Sequence, residues 1–424
     1  MNKFQSLRGF NDVLPADAPA WRQLLRTADE VFAAYGYAEV RLPLLEQTEL
    51  FKRSIGEATD VVEKEMFSFQ DREGDSLTLR PEATASLVRM GLEHGLLHNQ
   101  QQRLWTWGPM FRHERPQAGR YRQFHQLDIE AYGFAGPDID VELIAASARL
   151  FRRLGLTGLT LELNSLGGAD ARAAYRAALL AFLEKRESNL DADSQRRLRS
   201  NPLRVLDSKL PATQALLKDA PVISDFLDAD SRAHFEGLQQ GLSDLGIRFQ
   251  LNPRIVRGLD YYTRGVFEWT TSQLGAQGTV CAGGRYDGLV GQLGGSPAPA
   301  VGWALGIERL LMLMKTQAVA VPAFASQVYL CALGAAAERE AARRVEVLRD
   351  ALPALRLTLN AGGGKLPAQL KRADKSGAAL ALILGEAEAA KGVIQVKSLR
   401  ENIPQTECTW PELPARLSAL LNPN

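Results

Sequence analysis

Cysteine and long apolar runs are scarce in this chain of 424 residues. Its three cysteines, Cys281, Cys331 and Cys408, are too far apart for a zinc site, and their odd number fits no closed disulfide framework. The most apolar stretches, such as residues 379–384, are far too short to cross a bilayer. The beginning of the sequence, MNKFQSLRGFNDVLPAD, carries no apolar signal segment. We therefore expect a cytoplasmic protein without membrane contact and without a structural metal.

An excess of either charge is also lacking. Lys and Arg together number 50 and Asp and Glu 49, which gives a formal charge of +1. This balance argues against a protein that is held to nucleic acid by bulk charge, although it allows a local basic patch. A hydrophobic content of 46% excludes a disordered chain, and the length predicts two or three domains.

Familiar catalytic signatures are missing too. Residues 361–366 (AGGGKL) suggest a phosphate loop, but Leu359 and Leu366 stand where that loop needs Gly and Ser or Thr. His113 and Glu114 could begin a zinc-protease signature, yet position 117 is Gln. Neither G-x-S-x-G nor a G-x-G-x-x-G after a strand occurs. Kinase, hydrolase and dehydrogenase functions thus have little support.

Apolar periodicity predicts two domains of different class. Up to residue 322, hairpins and helices do not alternate strictly, which is typical of an α+β fold, and residues 169–245 have the helical pattern of an insertion. From residue 327 to 424, strands and helices alternate, which indicates a small α/β domain.

A predicted hairpin over residues 103–133 carries the first candidate site. Its second strand places Gln126, Asp128 and Glu130 on one face and apolar residues on the other. Between residues 102 and 125 there are five Arg and one acidic residue. This unit either borders a polar cavity or is an exposed hairpin with a solvated loop.

Residues 78–84 (TLRPEAT) place Glu82 at a probable helix start. Its carboxylate could bind a substrate ammonium, or it could simply stabilise the N-terminus of the helix.

Two further segments combine tyrosine, arginine and glycine. In residues 257–269 (RGLDYYTRGVFEW), Arg257 suits a phosphate, and Tyr261 and Tyr262 on one strand should face opposite sides, so that one packs and one faces a cavity. An amphipathic strand with an incidental Arg is the alternative. Glycines in residues 282–290 (AGGRYDGLV) either admit a ligand or supply turns.

Near the end of the large domain, residues 300–311 (AVGWALGIERLL) predict a small-residue strand that runs into a helix. Arg309 could stack on a purine ring beside that strand. Close strand–helix packing with Arg309 on the surface is the alternative.

The order of these segments resembles a known family. A proline-bearing segment around Pro43, then FRHE (residues 111–114) in a strand–loop–strand unit, then GIER (residues 306–309) resemble the three motifs of class II aminoacyl-tRNA synthetases. Residues 257–269 and 282–290 resemble the two signatures of the histidyl-tRNA synthetase family. The resemblance spans essentially the whole chain. It implies an antiparallel sheet flanked by helices, a helical insertion, and a C-terminal anticodon-binding domain.

The resemblance also implies a reaction and its partners. ATP, with Mg²⁺, and L-histidine would give histidyl-adenylate and pyrophosphate, and the histidyl group would pass to tRNA(His). A homodimer is implied by the segment around Pro43. The implied histidine-binding residues are Glu82, Thr84, Arg112, Gln126, Glu130, Arg257, Tyr261 and Tyr262.

The remaining implied roles concern ATP and tRNA. Arg112 and Arg257 would grip the α-phosphate as the catalytic pair, Glu114 would contribute to the ATP site, and Arg309 would contact the adenine or the γ-phosphate. The implied tRNA contacts are Arg115, Gln117, Arg120 and Arg122. The main alternative is a non-catalytic regulatory subunit of histidine biosynthesis. Such chains tend to lack either the RGLDYY segment or the C-terminal domain.

Overall fold

The computed structural model describes residues 4–56, 59–199, 201–208, 210–255, 259, 261–322 and 325–421. The chain divides into two compact units, Met1–Val321 and Pro322–Asn424. Within the described ranges, no helix has the length and apolar character that a membrane span requires.

Eleven strands are found in the described part of the first unit. They are β1 (Ala38–Glu39), β2 (Leu45–Gln47), β3 (Phe67–Gln70), β4 (Ser76–Leu79), β5 (Gln102–Phe111), β6 (Gln123–Tyr132), β7 (Thr160–Ser165), β8 (Phe249–Leu251), β9 (Thr263–Thr270), β10 (Thr279–Arg285) and β11 (Ala300–Gly306). Eight of them form one sheet in the order β1-β5-β6-β11-β10-β9-β7-β8, and β2-β4-β3 form a small second sheet. The six central strands of the large sheet are antiparallel, as predicted, whereas the short edge strands β1 and β8 pair in parallel.

Helices surround this sheet. They are α1 (Ala18–Ala34), α2 (Thr48–Ile55), α3 (Thr84–Glu93), α4 (Asp138–Arg153), α5 (Ala169–Glu184), α6 (Ala192–Arg197), α7 (Pro211–Leu216), α8 (Ala229–Asp244), α9 (Leu289–Gln292) and α10 (Ile307–Thr316). Shorter π or 3₁₀ turns lie at Val61–Glu65, Glu187–Asn189, Pro202–Asp207, Leu217–Asp219, Ile223–Phe226 and Ser272–Gln277.

The two faces of the large sheet have separate apolar cores. On one face, Leu127 and Ile129 of β6 pack with buried residues of α1, α4, α8 and α10. On the other face, Tyr132 packs with residues of α3 and α9. The alternation predicted for β6 is therefore confirmed, and it directs Asp128 and Glu130 away from the larger core.

The helical insertion has its own small core, built from buried residues between Tyr175 and Ile223. Helix α8 does not belong to that core, because its Leu238 and Leu242 are buried against the central sheet. The self-contained part of the insertion therefore ends before the predicted residue 245.

A buried ion pair ties the sheet to α4. Arg285 at the end of β10 is fully buried, and its Nη2 lies 2.5 Å from Asp140 Oδ2. The same guanidinium donates to the carbonyl oxygens of Phe134 and Gly136. Since an unpaired buried charge is costly, this web of acceptors is what allows an arginine in the interior.

The second unit is an α/β domain, as predicted. Its sheet has the order β13-β12-β14-β15-β16 and contains β12 (Val328–Ala332), β13 (Leu357–Leu359), β14 (Leu380–Leu384), β15 (Val393–Ser398) and β16 (Thr406–Thr409). Its helices are α11 (Ala335–Ala351), α12 (Leu366–Lys375), α13 (Glu386–Lys391) and α14 (Leu413–Leu421). All three cysteines are buried and none forms a disulfide, with Cys281 in the first unit and Cys331 and Cys408 in the second.

Candidate active site

A cavity of about 370 Å³ lies over the central sheet of the first unit. Ten of the residues predicted to form the site line it: Glu82, Thr84, Arg112, Glu114, Arg120, Gln126, Glu130, Tyr261, Tyr262 and Arg309. They come from separate segments of the chain that only the fold brings together. Arg115, Gln117 and Arg122 do not line the cavity, and Arg257 lies outside the described residues.

The strand register places arginines towards one end of the cavity, here called the cationic end, and the buried carboxylates of β6 towards the other, the acidic end. Further carboxylates also line the cavity: Glu65, Glu114, Glu268 and Glu308. Arg112 follows β5, whose last residue pairs with Gln123 at the beginning of β6. Arg309 lies in the first turn of α10, just after Gly306, and Gly306 pairs with Gln126. Further along β6, Asp128 and Glu130 line the same cavity. A ligand with a cationic group at one end and phosphates at the other would match this polarity.

Both carboxylate oxygens of Glu130 at the acidic end accept hydrogen bonds from hydroxyl groups. Thr84 Oγ1 donates to its Oε1 at 2.8 Å and Tyr286 Oη donates to its Oε2 at 2.5 Å. Burial raises the pKa of Glu130 to about 8, although these two donors favour the charged form. The carboxyl group can therefore change its protonation state near neutral pH when a ligand binds.

Gly302 makes room for this carboxylate. It pairs with Glu130 across β11 and β6, and a Cβ atom at position 302 would lie 1.4 Å from Glu130 Oε2. Glycine is therefore required here for space, since the side chain of Glu130 occupies the position of the missing Cβ.

Glu82 caps a helix and also lines the cavity. Its Oε2 accepts from the Thr84 amide and its Oε1 from the Ala85 amide, both at 2.8 Å, so it stabilises the beginning of α3. The same buried carboxylate lines the cavity. Burial raises its pKa despite these hydrogen bonds. Capping and ligand binding are compatible, because each carboxylate oxygen can accept a second hydrogen bond.

The arginines of the cationic end are positioned by backbone oxygens and an aromatic ring. Arg112 Nε donates to the Pro81 carbonyl at 2.9 Å, and its guanidinium lies 5.2 Å from the centre of the Phe124 ring. Arg309 donates from Nη1 to the Thr279 carbonyl at 2.9 Å. Burial, together with the cations of Arg120 and Arg112, lowers the pKa of Arg309. An anionic ligand would relieve this accumulation of positive charge.

The structure corrects the prediction that Tyr261 and Tyr262 lie on a strand. Tyr261 and Tyr262 precede β9 rather than lying within it, so the alternation of a strand does not apply to them. Both are buried, their ring centroids are 4.8 Å apart, and both line the cavity. The prediction that one packs and the other faces the cavity is wrong, because the strand begins only at Thr263.

The basic loop between β5 and β6 contains a tight turn, and part of the loop, including Arg120, lines the cavity. Gln117 and Arg120 exchange backbone hydrogen bonds of 3.0 and 2.9 Å. Arg115 and Gln117 are exposed, whereas Arg120 pairs with Glu114 and Arg122 Nε donates to the Glu114 carbonyl. The loop thus presents part of its charge to solvent and part to the cavity.

The sequence prediction assigned no role to Asp128 and Gly302, which line the cavity, or to Tyr286, which does not line it but donates to Glu130. Tyr286 lies in the segment that was singled out only for its glycines, and its hydroxyl also lies 3.4 Å from that of Tyr132. Asp128 was placed on the correct face but received no role. The alternation of β6 was the signal that could have included it.

Family models match both units. The model of the histidyl-tRNA synthetase family matches residues 9–310, and that of the anticodon binding domain matches residues 327–420. The crystal structure of apo histidyl-tRNA synthetase from S. aureus is 32% identical to this chain, with a TM-score of 0.82, and the alignment covers 98% of this chain and 100% of that one.

Two more distant structures show the same fold. Histidyl-tRNA synthetase from Nostoc sp. PCC 7120 is 22% identical with a TM-score of 0.72, over 99% of this chain and 100% of that one. A Bacillus halodurans protein described as an ATP phosphoribosyltransferase regulatory subunit/histidyl-tRNA synthetase is 21% identical with a TM-score of 0.65, over 88% and 97%. On the family match across most of its length, this chain belongs to the histidyl-tRNA synthetase family.

Proposed function

We propose that this protein is a histidine–tRNA ligase that works in two steps. The observation that supports it most is the cavity in which Arg112 and Arg309 lie together with the buried carboxylates of β6 and of Glu82 at the beginning of α3. Histidine would place its ammonium and imidazole among the carboxylates and tyrosines. ATP would place its phosphates among the arginines, so that the two substrates meet at the middle of the cavity.

In the first step, a carboxylate oxygen of histidine attacks the α-phosphorus of ATP, and pyrophosphate leaves as histidyl-adenylate forms. Arg112, held by the Pro81 carbonyl, is suited to align that carboxylate with the α-phosphate and to neutralise the charge that develops. We assign the same role to Arg257 on the basis of its sequence segment alone. Arg309 contacts the adenine or the γ-phosphate.

Discrimination for histidine comes from Glu130, Tyr261 and Tyr262. Neutral imidazole has one donor and one acceptor, and these side chains supply both kinds of partner. An apolar analogue would leave the buried polar groups unpaired, which is the basis of strong selectivity. Glu82 and Thr84 bind the α-ammonium group of histidine.

ATP enters with Mg²⁺ as its substrate complex. Glu114 lines the cavity at its cationic end, and a carboxylate oxygen is a ligand type that Mg²⁺ prefers. In the second step, a hydroxyl at the 3′ end of tRNA(His) attacks the carbonyl carbon of the adenylate, and AMP leaves.

The remaining proposals concern the domains and the assembly. Residues 1–322 form the catalytic domain and residues 327–424 bind the anticodon. The protein acts as a cytoplasmic homodimer through the segment around Pro43. A monomeric mass in light scattering would refute the dimer.

Pyrophosphate exchange tests the activity directly. We expect ATP–pyrophosphate exchange with histidine and with none of the other nineteen amino acids, and histidine transfer to tRNA(His). Exchange with a different amino acid would refute the specificity, and no exchange at all would refute the ligase.

A regulatory subunit of histidine biosynthesis is the second candidate, because the Bacillus halodurans protein described with that function shares this fold. Stimulation of an ATP phosphoribosyltransferase catalytic subunit by this chain, without pyrophosphate exchange, would establish that function instead.

Substitution of Arg115 by Ala should lower histidine transfer to tRNA about tenfold or more and leave pyrophosphate exchange unchanged. Arg115 is exposed on the loop and lies outside the cavity, so it can meet tRNA phosphates without touching histidine or ATP. The salt dependence of tRNA binding should weaken as well. Arg72, exposed at the tip of the β3–β4 hairpin, provides the control variant Arg72→Ala. Equal transfer by both variants would contradict the role of the loop.

A further inference from the structure

A tight turn formed by residues 7–10, here called the Gly9 turn, is hydrogen-bonded to the basic loop between β5 and β6. The turn is closed by a hydrogen bond of 2.9 Å from the Phe10 amide to the Leu7 carbonyl. The carbonyl oxygen of Gly9 accepts from the amides of Arg122 and Gln123 at 2.9 and 3.1 Å. The end of the basic loop is therefore fixed by a segment that lies far from it in sequence.

Arg122 is held on both sides of its backbone. Its amide donates to the Gly9 carbonyl, and its own carbonyl accepts from the Arg112 amide at 2.9 Å. Its Nε donates in addition to the Glu114 carbonyl at 3.3 Å. A shift of the Gly9 turn would therefore be passed directly to Arg122.

Position 9 has no room for a side chain. The φ of Gly9 is +89°, which lies in the left-handed region that favours glycine. A Cβ atom there would lie 2.9 Å from Arg122 Cγ and 3.0 Å from Pro116 Cγ. The turn thus fits closely against two side chains of the basic loop, and one of them directly follows Arg115.

Phe10 anchors the turn to the two sheets of the first unit. The centre of its ring lies 6.0 Å from that of Phe67 on β3 and 6.5 Å from that of Phe111 on β5. Aromatic pairs at such distances stabilise a packed arrangement. The Gly9 turn is therefore attached to the strands on one side and to the basic loop on the other.

A different element holds the part of the loop that lines the cavity. Arg309 Nε on α10 donates to the Gly119 carbonyl at 3.2 Å, and Gly119 and Arg120 line the cavity. Pro116 and Arg122, which the Gly9 turn contacts, do not line it. Displacement at position 9 should therefore move the outer part of the loop more than the part that faces ATP.

We propose that the Gly9 turn positions the basic loop for tRNA. Contacts to phosphates set the register of a nucleic acid on a protein, so a shift of Arg115 and Arg122 would misplace the 3′ end relative to the adenylate. Gly9 itself contacts no substrate in this role and acts only through the loop. The proposal rests on the proposed function, because it takes the loop to be a tRNA-binding element.

Two rates measured on the full chain test this role. Pyrophosphate exchange needs no tRNA, whereas single-turnover transfer from preformed histidyl-adenylate to a tRNA(His) transcript does. Gly9→Ala should lower transfer about tenfold or more and change exchange less than about threefold. Phe10→Leu, which removes the ring contacts and keeps an apolar side chain, is the second variant if Gly9→Ala does not fold, and it should also lower transfer more than exchange.

Gly36 provides the matched control. Its φ of +77° is also left-handed, but a Cβ there meets nothing within 4 Å. Gly36→Ala therefore imposes the same kind of backbone strain without pressing on a neighbour, and it should keep both rates at the wild-type level.

The outcomes separate this proposal from the proposed function. Equal transfer by Gly9→Ala and Gly36→Ala would overturn the role of the turn, and so would an equal fall of transfer and exchange, since that indicates a general disturbance. Absence of exchange in the wild type would overturn the ligase. Binding of the transcript would then decide on the turn: weaker binding by Gly9→Ala than by Gly36→Ala supports it, and equal binding or no binding by the wild type overturns it.

Discussion

Replacing Gly302 with Ala should lower kcat/KM for histidine activation roughly 100-fold or more. The added Cβ would lie 1.4 Å from Glu130 Oε2, so the carboxylate must leave its position between Thr84 and Tyr286. It would also lie 2.6 Å from the Ile129 carbonyl oxygen, which cannot move without shifting β6. Displacing a group that binds the substrate by about 1 Å is commonly worth 10²-fold in rate. Pyrophosphate exchange at varied histidine concentration measures the effect.

Gly288 provides the matched control for this substitution. A Cβ there meets nothing within 4 Å, and its φ of −83° suits alanine. Gly288→Ala should keep wild-type exchange. If Gly302→Ala retained more than a third of the wild-type kcat/KM while folding normally, the inferred position of Glu130 in the reaction would be wrong.

Glu130→Gln should also lower kcat/KM for histidine by about 10²-fold. The carboxylate now accepts from two hydroxyls, whereas an amide offers one acceptor oxygen and adds an NH₂ group that would face one of those hydroxyls. A site built to hydrogen-bond its substrate loses much of its binding when one partner is mismatched. The KM for ATP should change little, because Glu130 lies at the end of the cavity away from Arg112 and Arg309.

The same variant should change how stability depends on pH. The pKa of Glu130 rises from an ordinary 4.5 to about 8 on folding, so the folded state binds more protons than the unfolded state between these values. The free energy of unfolding of the wild type therefore falls as pH rises from about 4.5 to 8. In Glu130→Gln this contribution to the fall is absent. The difference in Tm, variant minus wild type, should grow between pH 5 and pH 8. Glu73→Gln, at an exposed site, should show no such trend. A difference that is constant with pH would contradict the raised pKa.

The sequence predicted the larger features well, because they depend on patterns that burial dictates. Alternation in β6 placed Gln126, Asp128 and Glu130 on the polar face, and the structure directs all three to the cavity. Apolar periodicity also indicated the α+β class of the first unit and the α/β class of the second. Such patterns can be read locally, since a half-buried strand or helix must repeat its apolar residues at the period of its backbone.

What could not be predicted depends on three-dimensional neighbours. Gly302 is required because of Glu130, which lies far away in sequence and meets it only through the pairing of β6 and β11. Arg285 received no role from the sequence, because its acceptors on α4 and in the preceding loop meet it only in the fold.

The prediction for Tyr261 and Tyr262 failed for a different reason. The prediction extended β9 by two residues at its beginning, and side chains alternate between the two faces only within a strand. Tyr261 and Tyr262 instead lie in irregular backbone, where both rings can turn to the cavity.

The buried cysteines have a practical consequence for spectroscopy. Burial raises the pKa of Cys331 to about 11 and also raises that of Cys408, so both thiols stay protonated, and Cys281 is 1% exposed. Alkylating dyes react with exposed thiolates and should pass over all three in the folded chain. One cysteine introduced at the exposed Arg72 would then carry a fluorophore selectively, with the native sequence otherwise intact.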